Sequence, residues 1–303
     1  MRHSLNNLFQ QTIIMQYKLP YRNNGIQIPH THVTDHSDDC LLQVASNDDI
    51  AKLIYNGIID YSYNDYEIDS TRLDNLQIRA LQSRLKYNPQ ASFQTQLSYG
   101  FQGEVMLYLV LDYFYHAQKA IARGHLFCPL ENGETKGYDS YQMVEGDNGV
   151  IYLFFGEAKF YIGGYKPALE KIFEKISDVL CDTYLHRNFV AMESHYQHIN
   201  PQSRIRAIIE EWYNNPLINM GACAQLYNMQ LVYPMLVIFD NKANSYDELI
   251  AEVVNHIDTE YKNVSATLTI PHHLFFMFLS VNDARYIKSK VIEWISQRQP
   301  VMP

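Results

Sequence analysis

Two carboxylates and an ammonium, Asp139, Glu157 and Lys159, flank a turn near the middle of this 303-residue chain. Asp147-Asn148-Gly149 reads as a three-residue hairpin loop with Gly149 at the left-handed position such loops favour. Pairing is then symmetric about residue 148, which sets Asp139 directly opposite Glu157. Lys159, two residues further on, shares their face of the sheet. Opposed carboxylates repel unless one is protonated or a cation lies between them. Lys159 relieves part of that repulsion. A magnesium ion, or manganese in its place, held by Asp139, Glu157 and the Ala158 carbonyl would relieve more and retain waters for chemistry. The competing reading is a cross-strand salt bridge on a solvated sheet edge. The apolar run 150–155 argues against it, because it implies a buried central strand where charge is costly unless paired or used.

The elements that must position these residues follow from hydrophobic spacing. Residues 1–47 read as irregular, with a turn at Asn23-Asn24-Gly25 and loop histidines His30, His32 and His36 that lack a completed ligand set. Asp48-Asp49 starts a helix through Ile58, and a second helix spans about 70–85, ended by Asn88-Pro89. The nearly unbroken apolar run from Gly103 to Tyr115 is a buried helix, followed by the hairpin. One long helix is expected from Pro167 to Leu185, and another over 205–213. Residues 231–239 form a buried strand despite Pro234, 245–261 a helix, 273–281 a strand and 283–295 a closing helix. This order predicts an α/β fold, a mixed sheet with a central β-hairpin flanked by helices. The chain divides into an N-terminal irregular and helical region, 1–92, and a catalytic domain, 93–303.

Gly137-Tyr138-Asp139 followed by Phe155-Gly156-Glu157-Ala158-Lys159 resembles the PD-(D/E)xK restriction-endonuclease-like superfamily, with Tyr138 where proline is usual. More narrowly, the chain resembles the HamA family, the nuclease subunit of the bacterial Hachiman anti-phage system. The resemblance runs from the helix with Gly103-Glu104 to the strand 273–281. It implies that Asp139 and Glu157 hold divalent metal and that Lys159 orients or activates the attacking water. Glu104 matches the acidic residue such folds supply from the helix before the hairpin; otherwise it is a first-turn glutamate favoured by the helix dipole. The resemblance further implies a magnesium-dependent DNA nuclease acting in defence beside a helicase subunit, HamB. Such a site suffices for phosphodiester hydrolysis, since metal acidifies a water and stabilises charge on the scissile phosphate. Two rival readings are an inert nuclease-fold scaffold and a nuclease acting on RNA.

Charge and composition bound the rest. With 24 Lys+Arg against 33 Asp+Glu the net charge is −9, so the average field repels nucleic acid and any DNA contact must be local. Lys166, Lys171 and Lys175 are the candidates, the last two being i, i+4 neighbours; the alternative is a solvated face balanced by Glu170 and Glu174. The 24 tyrosines are spread along the chain and read as packing residues, and His272-His273 as a structural feature of a strand edge. Four dispersed cysteines make neither a zinc signature nor a disulfide framework. No apolar stretch approaches the roughly 18 residues of a membrane span, and no signal peptide opens the chain, so a cytoplasmic protein without membrane contact is expected.

Overall fold

The structure, a computed structural model, describes residues 1–19, 38–128, 133–134, 136–146, 149–215, 219–240, 246–261 and 265–303. Its helices are α1 (His3–Thr12), α2 (Asn47–Ser62), α3 (Leu73–Ser83), α4 (Phe93–Ser98), α5 (Phe101–Tyr115), α6 (Lys166–Val179), α7 (Asp182–Glu193), α8 (Arg204–Asn214), α9 (Met220–Leu226), α10 (Tyr246–Tyr261) and α11 (Ala284–Gln297). Its strands are β1 (Ile13–Leu19), β2 (Asp38–Gln43), β3 (Gln118–Lys119), β4 (Phe127–Cys128), β5 (Gly133–Glu134), β6 (Gln142–Glu145), β7 (Ile151–Phe154), β8 (Glu157–Phe160), β9 (Met229–Asp240) and β10 (His272–Val281).

One mixed sheet organises the molecule, in the order β1-β2-β10-β9-β7-β6-β3, with β8 on β9 directly beyond the end of β7. The central strands β2, β10, β9 and β7 run parallel, and β1, β6 and β3 are antiparallel to their neighbours. Each face carries its own core, as strands buried on both sides require. On one face α1, α2, α5 and α11 cover Phe154, Ala158, Phe160, Leu236 and Met277; on the other α6, α7, α8 and α10 cover Leu153, Phe155, Tyr233, Met235 and Phe278. The mixed α/β architecture expected from the sequence is the one observed.

Local chemistry explains the elements that matter to the site. Ser46 caps α2 in a reciprocal box: its hydroxyl accepts the Asp49 N–H at 3.2 Å, and Asp49 accepts the Ser46 N–H at 3.3 Å. That helix packs on α5, which is buried along nearly its whole length. Two departures from the sequence reading concern helices and termini. Residues 1–47 are not wholly irregular, since α1, β1 and β2 occupy the described part; the turn at 23–25 and His30, His32 and His36 lie outside the described residues. β2 joins the sheet through β10, and α2 shares a core with α5 and α11, so residues on both sides of position 92 contribute to one hydrophobic cluster. The single helix expected over 167–185 is two, because Leu180 and Cys181 leave the helical path: the Leu180 carbonyl accepts the Thr267 N–H at 2.9 Å and Cys181 bridges to Thr267.

The hairpin has the register read from its turn. Gln142 faces Phe154, Met143 Leu153, Val144 Tyr152 and Glu145 Ile151, and Gly149 has φ +75°; residues 147 and 148 lie outside the described residues. Past Gln142 the two strands part. β7 and β8 keep one common register along β9, Phe154 facing Val232 and Glu157 facing Met235, yet the ladder lapses at residues 155–156, across from Pro234. Proline brings no N–H to a ladder. Gly156 lies so close to it that a Cβ would collide with the Pro234 carbonyl and ring. Because part of that obstacle is backbone, Gly156→Ala cannot be absorbed by a side-chain rotation. It should destabilise the fold by about 1–3 kcal/mol, measured by urea denaturation, while a surface change such as Ser289→Ala should leave the midpoint unmoved.

Candidate active site

Where β6 leaves β7, the chain before it turns across the end of the sheet and carries Asp139 to β8. The Asp139 N–H donates to the Gly156 carbonyl at 2.8 Å, one residue out of step with the hairpin ladder. The Ser140 hydroxyl secures the junction, donating to the Phe154 carbonyl at 2.9 Å and accepting the Gly156 N–H at 3.2 Å. Asp139 is therefore not the ladder partner of Glu157, as strict hairpin symmetry requires; the two meet across a break. Asp139 Oδ2 instead accepts the Ala158 N–H at 2.8 Å. Tyr138, at the position where proline is usual in the resembled motif, is buried against Tyr141, Phe155, Tyr184 and Tyr233. Asn188 accepts the Tyr141 hydroxyl and the Tyr138 N–H, tying the segment down from α7.

Glu157 and Lys159 point to the same side of β8 and form an ion pair. The other Glu157 oxygen accepts the Tyr233 hydroxyl at 3.0 Å, from the neighbouring strand β9. Glu104, in the first turn of α5, accepts the hydroxyl of buried Tyr61. These groups meet at a cleft of about 580 Å³ whose lining includes Glu104, Asp139, Ala158, Lys159, Lys171, Lys175 and Lys288. Glu157 is not in that wall and is joined to it through Lys159. Lys166, exposed at the first residue of α6, is not in the wall either. Of the residues singled out from sequence, Asp139, Glu157, Ala158, Lys159 and Glu104 are thus brought to one place, and Lys171 and Lys175 stand beside them. Lys171 lies over the Tyr161 ring at 5.2 Å, and among the described residues neither lysine forms an ion pair with Glu170 or Glu174.

Burial and the nearby Glu157 carboxylate push Asp139 up to about 6, against the pull of Lys159, the Ala158 N–H and Arg123. Burial alone would lower Lys159, but Glu157, Asp139 and Glu104 outweigh it and hold its ammonium above the ordinary range. Burial, then Glu157, drives the Tyr233 phenol well above its usual value, so it stays a hydrogen-bond donor. Asp139, Glu157 and Glu104 bring an all-oxygen donor set, of the kind that magnesium and manganese take, to one place with Lys159.

Sequence reasoning passed over Tyr61, Arg123, Tyr233 and Lys288. Arg123 is buried in the 3₁₀ turn 123–126 beside the Tyr141 ring, and no spacing ties it, or any of these, to the hairpin motif. His273 is buried in β10, in line with a structural role. A second group of ligand-type atoms, on Glu67, His125 and His198, lies elsewhere, all within 4.8 Å of one another. There the Arg84 guanidinium lies 2.9 Å from His125 Nδ1, and Glu67 and the Asn64 amide lie 2.8 and 3.1 Å from Nε2. His198 stacks on the His125 ring at 4.0 Å, and a guanidinium beside the cluster opposes a cation.

The raised Asp139 pKa has a consequence for stability. A carboxyl that holds its proton more tightly folded than unfolded favours folding below about 4, and that contribution is lost as pH rises through about 6. Asp139→Asn should therefore stabilise the metal-free protein at pH 8 by about 1–3 kcal/mol, with little gain at pH 4. Thermal melts of both proteins in EDTA at the two pH values check the sign.

The model of the HamA family matches residues 8–295, nearly the entire chain and both sides of the cleft. Comparison with curated proteins and with solved structures gave no match. No helix among the described residues is long and apolar enough to cross a membrane. With a family match of that extent across the residues that build the cleft, the chain belongs to the HamA family and is a component of Hachiman antiviral defence.

Proposed function

We propose that this chain is a magnesium-dependent deoxyribonuclease, the effector that Hachiman defence couples to a helicase partner, HamB. The observation that carries this reading is the meeting of Asp139, Glu157 and Lys159 at the parting of the sheet, beside a cleft that also presents Glu104 and two lysines of α6. The donor set suits a divalent ion: oxygen ligands only, with the carboxylates of Asp139, Glu157 and Glu104 gathered together. Asp139, Glu157 and the Ala158 carbonyl would hold it, and Glu104 would assist. When bound, such an ion supplies charge stabilisation on the scissile phosphate and a more acidic water.

The chain's own residues do the rest. The Ala158 N–H and Tyr233 hydroxyl hold the Asp139 and Glu157 carboxylates in fixed orientations, so little reorganisation is needed during reaction. Lys159, kept protonated by its carboxylate neighbours, places a cation where hydroxide and the pentavalent phosphate develop negative charge. Lys171 and Lys175, one helical turn apart, offer contacts to the phosphate backbone. DNA is favoured over RNA by the family's role in defence against phage, and HamB by the chain's net charge of −9, which makes unaided DNA capture weak.

Purified protein incubated with labelled DNA and RNA, in magnesium or in EDTA, tests the reading. Cleavage of DNA in magnesium is expected, with loss of at least a hundredfold in folded Glu157→Ala and Lys159→Ala proteins. Wild-type cleavage by folded Glu157→Ala would remove the site assignment, and cleavage confined to RNA would remove the substrate. The isolated chain should also bind DNA weakly. Each phosphate contact contributes about −0.9 to the slope of log affinity against log salt, so the few lysines of this cleft give a shallow slope of about −2 to −4. Titrations of the Glu157→Ala protein across a salt series measure it, and a slope near −8 would mean that this chain finds DNA without a partner.

A further inference from the structure

We propose that Lys288 is a phosphate-binding residue of the cleft, holding a backbone phosphate of the nucleic-acid substrate beside the one that is cut; the proposal rests on the nuclease reading of this site. Lys288 occupies a core position. The buried face of α11 is Ala284, Ile287, Lys288, Val291, Ile292 and Ile295, an apolar stripe at helical spacing into which one lysine has been set. Its side chain runs inward with only 3% of the residue exposed, and it reaches the same cleft wall as Glu104, Asp139 and Lys159.

What Lys288 lacks is acceptors. An ammonium has three donors, and a buried one is costly unless they are used. Here the polar contact is the Tyr99 carbonyl at 3.5 Å, the outer limit of a hydrogen bond, supplemented by the Phe160 ring at 5.3 Å. Among the described residues it makes no ion pair. The other deeply buried lysine shows what a structural one looks like in this fold. Lys119, 6% exposed, donates to the Asp60 and Tyr63 carbonyls at 2.9 Å each and pairs with Asp65 at 2.6 Å. Lys119 is saturated, and Lys288 is not.

A phosphodiester entering the cleft supplies what is missing. Its anionic oxygens are strong acceptors, and a charge-assisted bond in a partly desolvated wall is worth more than one at an exposed lysine. Burial pushes Lys288 down to about 8, which leaves it largely protonated at neutral pH. Lys171 and Lys175, on α6, line the same cleft, so a phosphate backbone lying in it meets cations from two elements, α6 and α11.

The test uses the full chain carrying Glu157→Ala, so that binding is read without cleavage, on a short DNA duplex over a salt series. Adding Lys288→Met should raise Kd about tenfold and make the slope shallower by about 0.9. Methionine matches the buried stem without its charge, so the melting temperature should hold or rise, whereas loss of a structural lysine would lower it. In the active protein, Lys288→Met should raise KM by a similar factor and change kcat less. An unchanged Kd and slope with a lowered melting temperature would overturn the proposal while leaving a wild-type protein that cuts DNA as a nuclease. A tenfold loss of binding in a protein whose wild type cuts no nucleic acid would support the phosphate site and overturn the nuclease reading. No DNA binding by the Glu157→Ala chain at low salt would overturn both.

Discussion

The contact between Gly156 and Pro234 is the constraint on which the site depends. It lets β7 and β8 continue as one line along β9 while their hydrogen-bond ladder lapses for two residues. At that lapse the partner strand β6 departs; the Asp139 N–H is satisfied by the Gly156 carbonyl, and the Ser140 hydroxyl takes up the Phe154 carbonyl and the Gly156 N–H. One edge of β8 is left to face Asp139 and α5 instead of a neighbouring strand. A sheet that opens in this way presents both carboxylates and Lys159 at its margin, with apolar layers on either side to exclude water.

Electrostatics and stability pull against each other at this margin. Asp139 is pushed up by burial and by Glu157, a sign that the folded protein holds two carboxylates closer than it would for stability alone. The surrounding donors fix orientation: the Ala158 N–H and Tyr233 hydroxyl are neutral, and Lys159 and Arg123 are the cations that pull on the Asp139 carboxylate. In the nuclease reading a divalent ion would lie among these carboxylates and offset their mutual repulsion. Tyr138, Tyr141 and Tyr233 are buried packing that stiffens the Asp139 segment, and the partly buried Tyr184 lies edge-on to Tyr138.

Positive charge is sparse on this chain and unevenly placed. Three lysines from two helices reach one cleft, and the average field of a net −9 chain opposes DNA elsewhere. For the proposed nuclease, recognition by a few cations in a confined cleft would favour a substrate delivered and opened by another protein.

By itself the sequence determined most of the fold's parts and the pairing of its hairpin. The residues of the turn, with Gly149 at positive φ, set a local register that nothing distant needs to correct, and the apolar periods of α2, α5, α8, β9, β10 and α11 reported buried faces directly. The tertiary structure alone decided three things. Leu180 and Cys181 end α6 because Thr267, distant in sequence, claims their backbone groups. β1 and β2 form because β10 offers β2 a parallel edge. Lys288, in α11, enters the cleft because that helix packs over α2 and α4, a placement that no spacing to the Asp139–Lys159 motif encodes. Local chemistry wrote the hairpin and its charges, and long-range packing chose which other residues face them.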